Sequence, residues 1–274
     1  MSRIDHGTRS RWAACCVAAA LALTGCAGKK QSDYVPRQMI TTQEGYEQGL
    51  AQIDAGDYRK ARQTLERIEF DRETRAQYEP LVRLAIADAT YFLGDATALI
   101  EARALYTEFV TLYGDHPRAP YAQLQAGMCS IGQALSPAKD QGQTLLAIEE
   151  FRQTGVRFPD SPYASLAEQQ IRIAQDGVAE HDFLVGRFYV KRKRFDAGSE
   201  RFRKILTSYP EYEQRDKIYY WLGLALVRGG NLAEGRLYLE KLAEDYPDSP
   251  WTSEAHKILA KAEAEPVPAA EPRS

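Results

Sequence analysis

The chain has 274 residues, of which 44% are hydrophobic and 27% charged, a balance that excludes a disordered protein and leaves enough apolar side chains for a large folded core. Its 35 basic and 38 acidic residues give a formal charge of -3, which argues against a general nucleic-acid-binding protein. Four cysteines could form disulfides or a metal site. Three of them lie in the first 26 residues, so the role of that segment determines which cysteines remain.

Residues 1–25 have the order of a secretory signal peptide. Three arginines precede an uncharged stretch from Trp12 to Leu23. As a helix this stretch would be about 18 Å long, which is too short for a bilayer core of about 30 Å. The segment ends in Leu23-Thr24-Gly25-Cys26, which resembles the bacterial lipobox.

The lipobox resemblance implies cleavage before Cys26, attachment of diacylglycerol to its sulfur and acylation of its amine. Because two or more acyl chains anchor a protein stably, we expect a lipid-anchored protein that does not span the membrane. Ala27 and Gly28 follow the cysteine in place of the aspartate that often marks inner-membrane retention. The resemblance therefore favours the periplasmic face of the outer membrane.

This processing changes the meaning of the four cysteines. Cys15 and Cys16 leave with the signal peptide and Cys26 carries the lipid, so Cys129 is the only free thiol expected in the mature chain. The sequence therefore predicts no intrachain disulfide and no cysteine metal cluster. Cys129 lies in an apolar helical stretch and is predicted to be a buried, unreactive thiol.

Two polar segments flank the predicted folded domain. Residues 26–40 are predicted to form a lipidated tether, and residues 262–274, which are rich in Ala, Glu and Pro, a disordered tail. Residues 41–261 have helical periodicity and contain a repeat with steps of 12, 4 and 8 residues. The two clearest copies are Gly186, Gly198, Phe202 and Pro210, then Gly223, Gly235, Leu239 and Pro247.

Three earlier segments follow the same spacing with variations. The tetratricopeptide repeat typically has a small residue where its two helices cross and a second small residue on the second helix. A large apolar residue follows one turn later, and a proline ends the unit. The sequence therefore predicts an all-α solenoid of about five tetratricopeptide-like helix pairs. The earlier copies are Gly49, Ala61 and Leu65; Ala102, Tyr106 and Pro117; and Gly127, Ala147, Phe151 and Pro159, the last with an insertion over 136–143.

The segments that end one repeat unit and begin the next, here called exits, also recur in the sequence. In Phe158-Pro159-Asp160-Ser161-Pro162-Tyr163, the first proline should stop one helix, Ser161 or Asp160 should cap the next, and the second proline suits its first turn. Similar exits follow Tyr246 and His116.

No pattern of catalytic or cofactor-binding residues is present. The histidines of the mature chain stand alone, and nucleophile-elbow, dinucleotide and P-loop motifs are absent. The triplet Glu180-His181-Asp182 contains suitable residue types for a metal or catalytic site, but adjacent helical residues do not share a face. It is interpreted as a solvated helix surface. We predict a non-enzymatic protein without cofactor or metal.

The run Lys191-Arg192-Lys193-Arg194 is the most basic segment of the predicted domain, and Arg201, Arg203 and Lys204 follow on the next helix. Two interpretations stay open. The cations compensate a helix C-terminus, or they bind an acidic partner surface or anionic lipid.

Tyrosines on the first helix of each unit are the second candidate surface. Tyr46, Tyr91, Tyr121 and Tyr163 lie on helices that line the inner face of such a solenoid. Most of the 16 tyrosines should pack between helices, but these have suitable positions to bind an extended peptide, because tyrosine offers contact area and a hydrogen bond at low entropic cost.

The segment from Ala179 to Arg192, together with Asp140-Gln141 and the stretch from Thr144 to Phe151, closely resembles the family of the outer-membrane assembly lipoprotein BamD. The similarity covers the lipobox and all five units and is most specific from about Lys139 to Pro210. It implies a non-enzymatic subunit of the machinery that folds and inserts β-barrel proteins. One departure is residues 68–73, where the family commonly has a tyrosine-proline exit.

In that family, the C-terminal repeats hold a periplasmic domain of the BamA insertase, and the N-terminal repeats are thought to receive unfolded outer-membrane proteins. The resemblance implies a partner-binding role for Arg201, with Arg187, Lys191 and Arg194 of the same unit as further candidates. Tyr46, Tyr91 and Tyr121 are the candidates for the peptide groove. The alternative is a tetratricopeptide-repeat scaffold for division or Tol-Pal envelope proteins, whose repeats share Tyr220-Trp221-Leu222-Gly223 and the Tyr-Pro-Asp-Ser exit.

Overall fold

A computed structural model describes residues 41–264. The predicted signal peptide, Cys26 with its tether, and the tail from residue 265 onward lie outside the described residues. Residues 41–264 form eleven α-helices and no β-strand. The helices are α1 (Thr42–Asp54), α2 (Tyr58–Leu65), α3 (Arg75–Tyr91), α4 (Ala96–Leu112), α5 (Ala119–Gly132), α6 (Gly142–Arg157), α7 (Pro162–Lys191), α8 (Phe195–Ser208), α9 (Arg215–Arg228), α10 (Leu232–Asp245) and α11 (Thr252–Ala264).

Each helix packs mainly on the helices before and after it in the chain. The first ten helices form five pairs, and α11 packs on α9 and α10. The buried residues divide into successive clusters, one spanning α3, α4 and α5 and another spanning α7, α8 and α9. The predicted all-α solenoid is therefore confirmed for residues 41–264. Helix α11 continues to Ala264 and so includes the first three residues of the predicted tail.

The glycine spacing has a direct packing cause. A Cβ atom built on Gly127 would lie 2.4 Å from the ring of Phe151, and one built on Gly186 would lie 2.6 Å from the ring of Phe202. Both rings are fully buried, so they fill the space that the glycine leaves open. The same contact joins Gly49 to Leu65 and Gly223 to Leu239.

Helix α7 has 30 residues and belongs to two units. The side chain of Ser161 accepts a hydrogen bond from the backbone N–H of Tyr163, and Pro162 opens the helix, as the exit motif predicts. The helix contacts α5 and α6 of the third unit as well as α8 and α9. Its second half is thus enclosed by two neighbours, which determines the environment of residues 179–190.

Within residues 41–264 no helix is both long enough and apolar enough to cross a bilayer, and α7, which has the length, is too polar.

Candidate partner-binding surfaces

Asp182 and two cations form a cluster between α7 and α8. The carboxylate is 2% exposed, yet its Oδ1 accepts a hydrogen bond from Nη1 of Arg201 at 2.9 Å, and its Oδ2 lies 2.8 Å from Nζ of Lys204. Arg201 and Lys204 are three residues apart on α8 and share a face. Their side chains are 41% and 49% exposed. One buried negative charge therefore holds two positive charges at the surface.

Glu180, two residues before Asp182, forms a second ionic cluster between α7 and α9. Its Oε2 accepts hydrogen bonds from Nζ of Lys217 at 2.5 Å and from the hydroxyl of Tyr212 at 2.6 Å. Nζ of Lys217 also lies 4.3 Å from the centre of the Phe183 ring, an attractive cation–π geometry. Lys217 is buried, so this cluster ties two units together without exposing its cation.

These contacts correct the interpretation of Glu180-His181-Asp182 as a solvated surface. Each of the three side chains contacts a different element: Glu180 contacts α9, Asp182 contacts α8, and Nδ1 of His181 lies 2.7 Å from the carbonyl oxygen of Pro137. The solvated interpretation was wrong because α7 is packed on several sides by α8, α9 and the 133–141 connection.

Arg187 and Lys191 line a shallow groove of about 510 Å³ between α7 and the 133–141 connection. Its apolar lining includes Leu184, Val185 and the half-exposed ring of Phe188. The connection is held in place by Gln141, whose side-chain Nε2 donates to backbone carbonyl groups of the loop. The groove therefore combines an apolar floor with basic sides.

Arg194 lies elsewhere, in a smaller pocket of about 270 Å³ at the turn between α7 and α8, which Lys193 and Arg228 also line. Of the four predicted partner-binding residues, the structure brings Arg187 and Lys191 together in one groove. Arg194 and Arg201 are not among the described residues that line it. Lys191 also lines a further groove together with Lys193 and Arg228, so the basic residues at the end of α7 adjoin one another, whereas Arg201 lines none of these grooves.

Among the predicted groove tyrosines, Tyr121 forms the most extensive contacts. Its hydroxyl donates to Oδ1 of Asp88 at 2.8 Å, and the fully buried Tyr106 donates to the same oxygen at 2.6 Å. Burial raises the pKa of Asp88, although the two hydroxyl donors oppose the rise. Burial also raises the pKa of Tyr121, and the Asp88 charge adds to this effect. The result is a half-buried carboxylate satisfied by neutral donors.

The other tyrosines lie on the same series of helices, α1, α3 and α7. Tyr46 packs edge-on against Tyr78 with ring centres 5.9 Å apart, and Tyr163 packs edge-on against Tyr121 at 5.7 Å. Tyr91 packs edge-on against Phe92 and against the buried cluster of α3 to α5. All four are partly exposed, and their rings pack against other aromatic side chains.

Cys129 is buried in the same cluster, and burial raises the pKa of its thiol to about 12. This agrees with the predicted unreactive thiol. Within residues 41–264, no group of three or more histidine, cysteine or acidic side chains is arranged to hold a metal ion.

Sequence reasoning missed Asp88 and Asp182, although one signal was available. Asp182 lies three residues after Ala179 and four before Gly186, which is the spacing of the buried stripe of α7. Asp88 likewise lies four residues after the buried Leu84. A carboxylate on an apolar stripe indicates a buried partner, because an unpaired buried charge is costly.

Comparison with known proteins agrees with this architecture. The family model described as outer membrane lipoprotein (YfiO) matches residues 38–222, and a tetratricopeptide-repeat model matches residues 218–249.

Among curated relatives, the outer membrane protein assembly factor BamD of Rickettsia prowazekii is 26% identical over 239 residues, covering 87% of this chain and 92% of the relative. BamD of Caulobacter vibrioides is 26% identical over 247 residues, covering 89% and 78%. BamD of Neisseria meningitidis serogroup A is 24% identical over 254 residues, covering 87% and 92%. Because the family model spans more than half of the sequence, the chain belongs to the YfiO family of outer membrane lipoproteins, the family of BamD.

Proposed function

We propose that this chain is a non-enzymatic subunit of an outer-membrane β-barrel assembly complex, anchored through lipidated Cys26 on the periplasmic face. Its fourth unit holds a BamA-like insertase, and the inner face of its N-terminal units receives unfolded outer-membrane proteins. Family membership and the assembly-factor names of the relatives support the general role.

The observation that carries the insertase assignment is the position of Arg201. The residue lies on α8, packed against the segment 179–192 that resembles the family most closely, and its guanidinium is held at the surface. Arginine is well suited to bind a partner carboxylate through paired hydrogen bonds. Arg187, Lys191 and Arg194 would add attraction for an acidic surface around it.

The substrate assignment rests on the N-terminal tyrosines. Tyr46, Tyr91 and Tyr121 present partly exposed rings on the first helices of the first three units. An extended peptide crossing these helices would meet aromatic area and hydroxyl groups at regular intervals.

Co-purification tests the assignment of the insertase. Tagged wild-type chain is extracted from outer membranes in mild detergent and its partners are identified by mass spectrometry. We expect a BamA-like barrel with the wild type and its loss with Arg201→Glu. Arg201→Gln, which avoids placing a second carboxylate beside Asp182, should retain a reduced amount.

The matched control is Arg152→Glu on α6, because Arg152 is an exposed arginine whose ion pair with Glu149 stays within one helix. It should recover as much barrel as the wild type. Recovery of no barrel by the wild type, or recovery of Tol-Pal or division proteins in its place, would contradict the proposal.

A further inference from the structure

Asp182 is buried at the base of the candidate contact Arg201, and its geometry suggests more than a structural role. It contacts Arg201 through one guanidinium nitrogen only, at 2.9 Å. In the described part of the chain no other hydrogen bond is made by Arg201, so Nε and Nη2 stay available. The arginine is therefore fixed by one edge and free to bind through another.

Lys204 completes the arrangement. It lies on the same face of α8 and contacts the second oxygen of Asp182 at 2.8 Å, with half of its side chain exposed. Two cations and one buried carboxylate leave a net charge of +1 at the surface. A single partner carboxylate would neutralise this cluster and would replace little water around Asp182, which is already desolvated.

We infer that Asp182 is a positioning residue for partner binding, which holds Arg201 and Lys204 as a preorganised pair of cations that together bind one acidic side chain of the partner. This inference rests on the proposed function and adds Asp182 and Lys204 to its binding site. Long cationic side chains lose rotamer freedom when they bind, and Asp182 removes much of that loss before the partner arrives.

Asp182→Asn tests the inference with little change in shape. The asparagine oxygen can still accept from Arg201, but its amide replaces the oxygen that holds Lys204, so Lys204 is released and Arg201 is held only by a neutral acceptor. Wild type and variant, as full mature chains, are compared for binding to the immobilised BamA-like barrel that co-purifies with the wild type. We expect about tenfold faster dissociation, equivalent to about 1.4 kcal/mol, with an unchanged or slightly faster association rate.

Glu180→Gln is the matched control. Glu180 also lies on α7 and forms a partly buried ion pair, but its cation Lys217 is only 9% exposed in its side chain and cannot reach a partner. This variant should lose thermal stability without a change in the dissociation rate. Circular dichroism and melting curves show whether each variant is folded before binding is measured.

The outcomes separate the two claims. If wild type binds no barrel, the proposed function fails. Suppose that the wild type binds the barrel and that Arg201→Gln weakens this binding. If Asp182→Asn then leaves the dissociation rate unchanged, the positioning role of Asp182 is overturned. Tighter binding by Asp182→Asn would also overturn it, since Asp182 would then compete with the partner for Arg201. A Lys204→Met variant should dissociate faster than wild type, and unchanged dissociation would remove Lys204 from the site.

Discussion

Two buried or half-buried aspartates, one in each half of the solenoid, have opposite surroundings. Asp88 accepts from two tyrosine hydroxyl groups in the N-terminal half, whereas Asp182 contacts an arginine and a lysine in the C-terminal half. Burial raises the pKa of Asp88, and the two hydroxyl donors offset this rise only in part. Asp182, in contrast, holds two cations at the surface. The same repeat framework thus surrounds one aspartate with tyrosine hydroxyl groups in one half and the other aspartate with cations in the other half.

A change at the helix crossing beneath Asp182 should destabilise that half of the solenoid and leave the half containing Asp88 intact. Gly186→Ala places a Cβ 2.6 Å from the Phe202 ring, next to Arg201, and we expect it to lower the free energy of unfolding by about 3 kcal/mol. Denaturant melts measure the loss, and hydrogen exchange should locate it in α7 to α9 while the Asp88 region stays protected.

Gly177→Ala on the same helix is the control, because a Cβ at that glycine meets no atom within 4 Å. It should stabilise the chain by about 0.5 to 1 kcal/mol through higher helix propensity. Equal destabilisation by both changes would show that the crossing at Gly186 has no special packing role.

The second prediction removes one of the two hydroxyl groups around Asp88. Tyr106→Phe should lower the free energy of unfolding at neutral pH by about 2 kcal/mol, since the lost hydrogen bond is buried and its acceptor is charged. Tyr58→Phe, whose ring stacks on Phe92, is the control and should change little. A loss equal to that of the control would mean that the Asp88 cluster does not stabilise the N-terminal half.

The stability of the folded chain should depend on pH through Asp88. Because the folded-state pKa of Asp88 is raised above its unfolded value, the folded chain binds this proton more tightly, and stability falls as pH rises through that interval. Asp88→Asn keeps the oxygen that accepts from both tyrosines and removes the charge. The variant should be more stable than wild type at neutral pH, and the difference should vanish below the usual pKa of aspartate.

Urea melts of both chains between neutral pH and about pH 3, below the usual aspartate pKa of about 3.9, measure this difference. A gap that stays constant or widens on acidification would contradict the assignment of the raised pKa to Asp88.

Ionic strength should affect binding at the two halves differently, and this is the smallest effect that we expect. Binding of the insertase at Arg201 and Lys204 should weaken about threefold between 0.1 M and 0.5 M salt, because exposed charges are screened. Binding of a peptide with the C-terminal segment of an outer-membrane protein to the N-terminal face should change less. Equal salt dependence at both sites would remove the electrostatic part of the contrast.

The sequence predicted the repeat because its spacing follows directly from packing. Gly127 and Gly186 must leave room for Phe151 and Phe202, and any helix pair of this kind needs the same steps. The exit at Ser161 was predictable for a similar reason, since a cap and a proline act within a few residues.

The surroundings of the two aspartates could not be predicted in this way. Tyr121 lies 33 residues from Asp88 and Arg201 lies 19 residues from Asp182, so each contact depends on how separate helices rotate against one another. The 30-residue α7 also escaped prediction as one helix, because its two halves carry the patterns of separate units. The spacing of the buried positions around Asp182 is the one local sign that this side chain is buried. The charged residues on both sides of His181 favour the opposite interpretation, a solvated surface.

We propose that the two halves of the solenoid contact different proteins, and site-specific photo-crosslinking in cells can distinguish these partners. A photoreactive phenylalanine is placed at Ser208, one turn after Lys204 on α8, or at Tyr46 on α1. We expect one discrete adduct with the barrel insertase from position 208 and a mixture of unfolded outer-membrane proteins from position 46. The same adducts from both positions, or no insertase adduct from position 208, would contradict it.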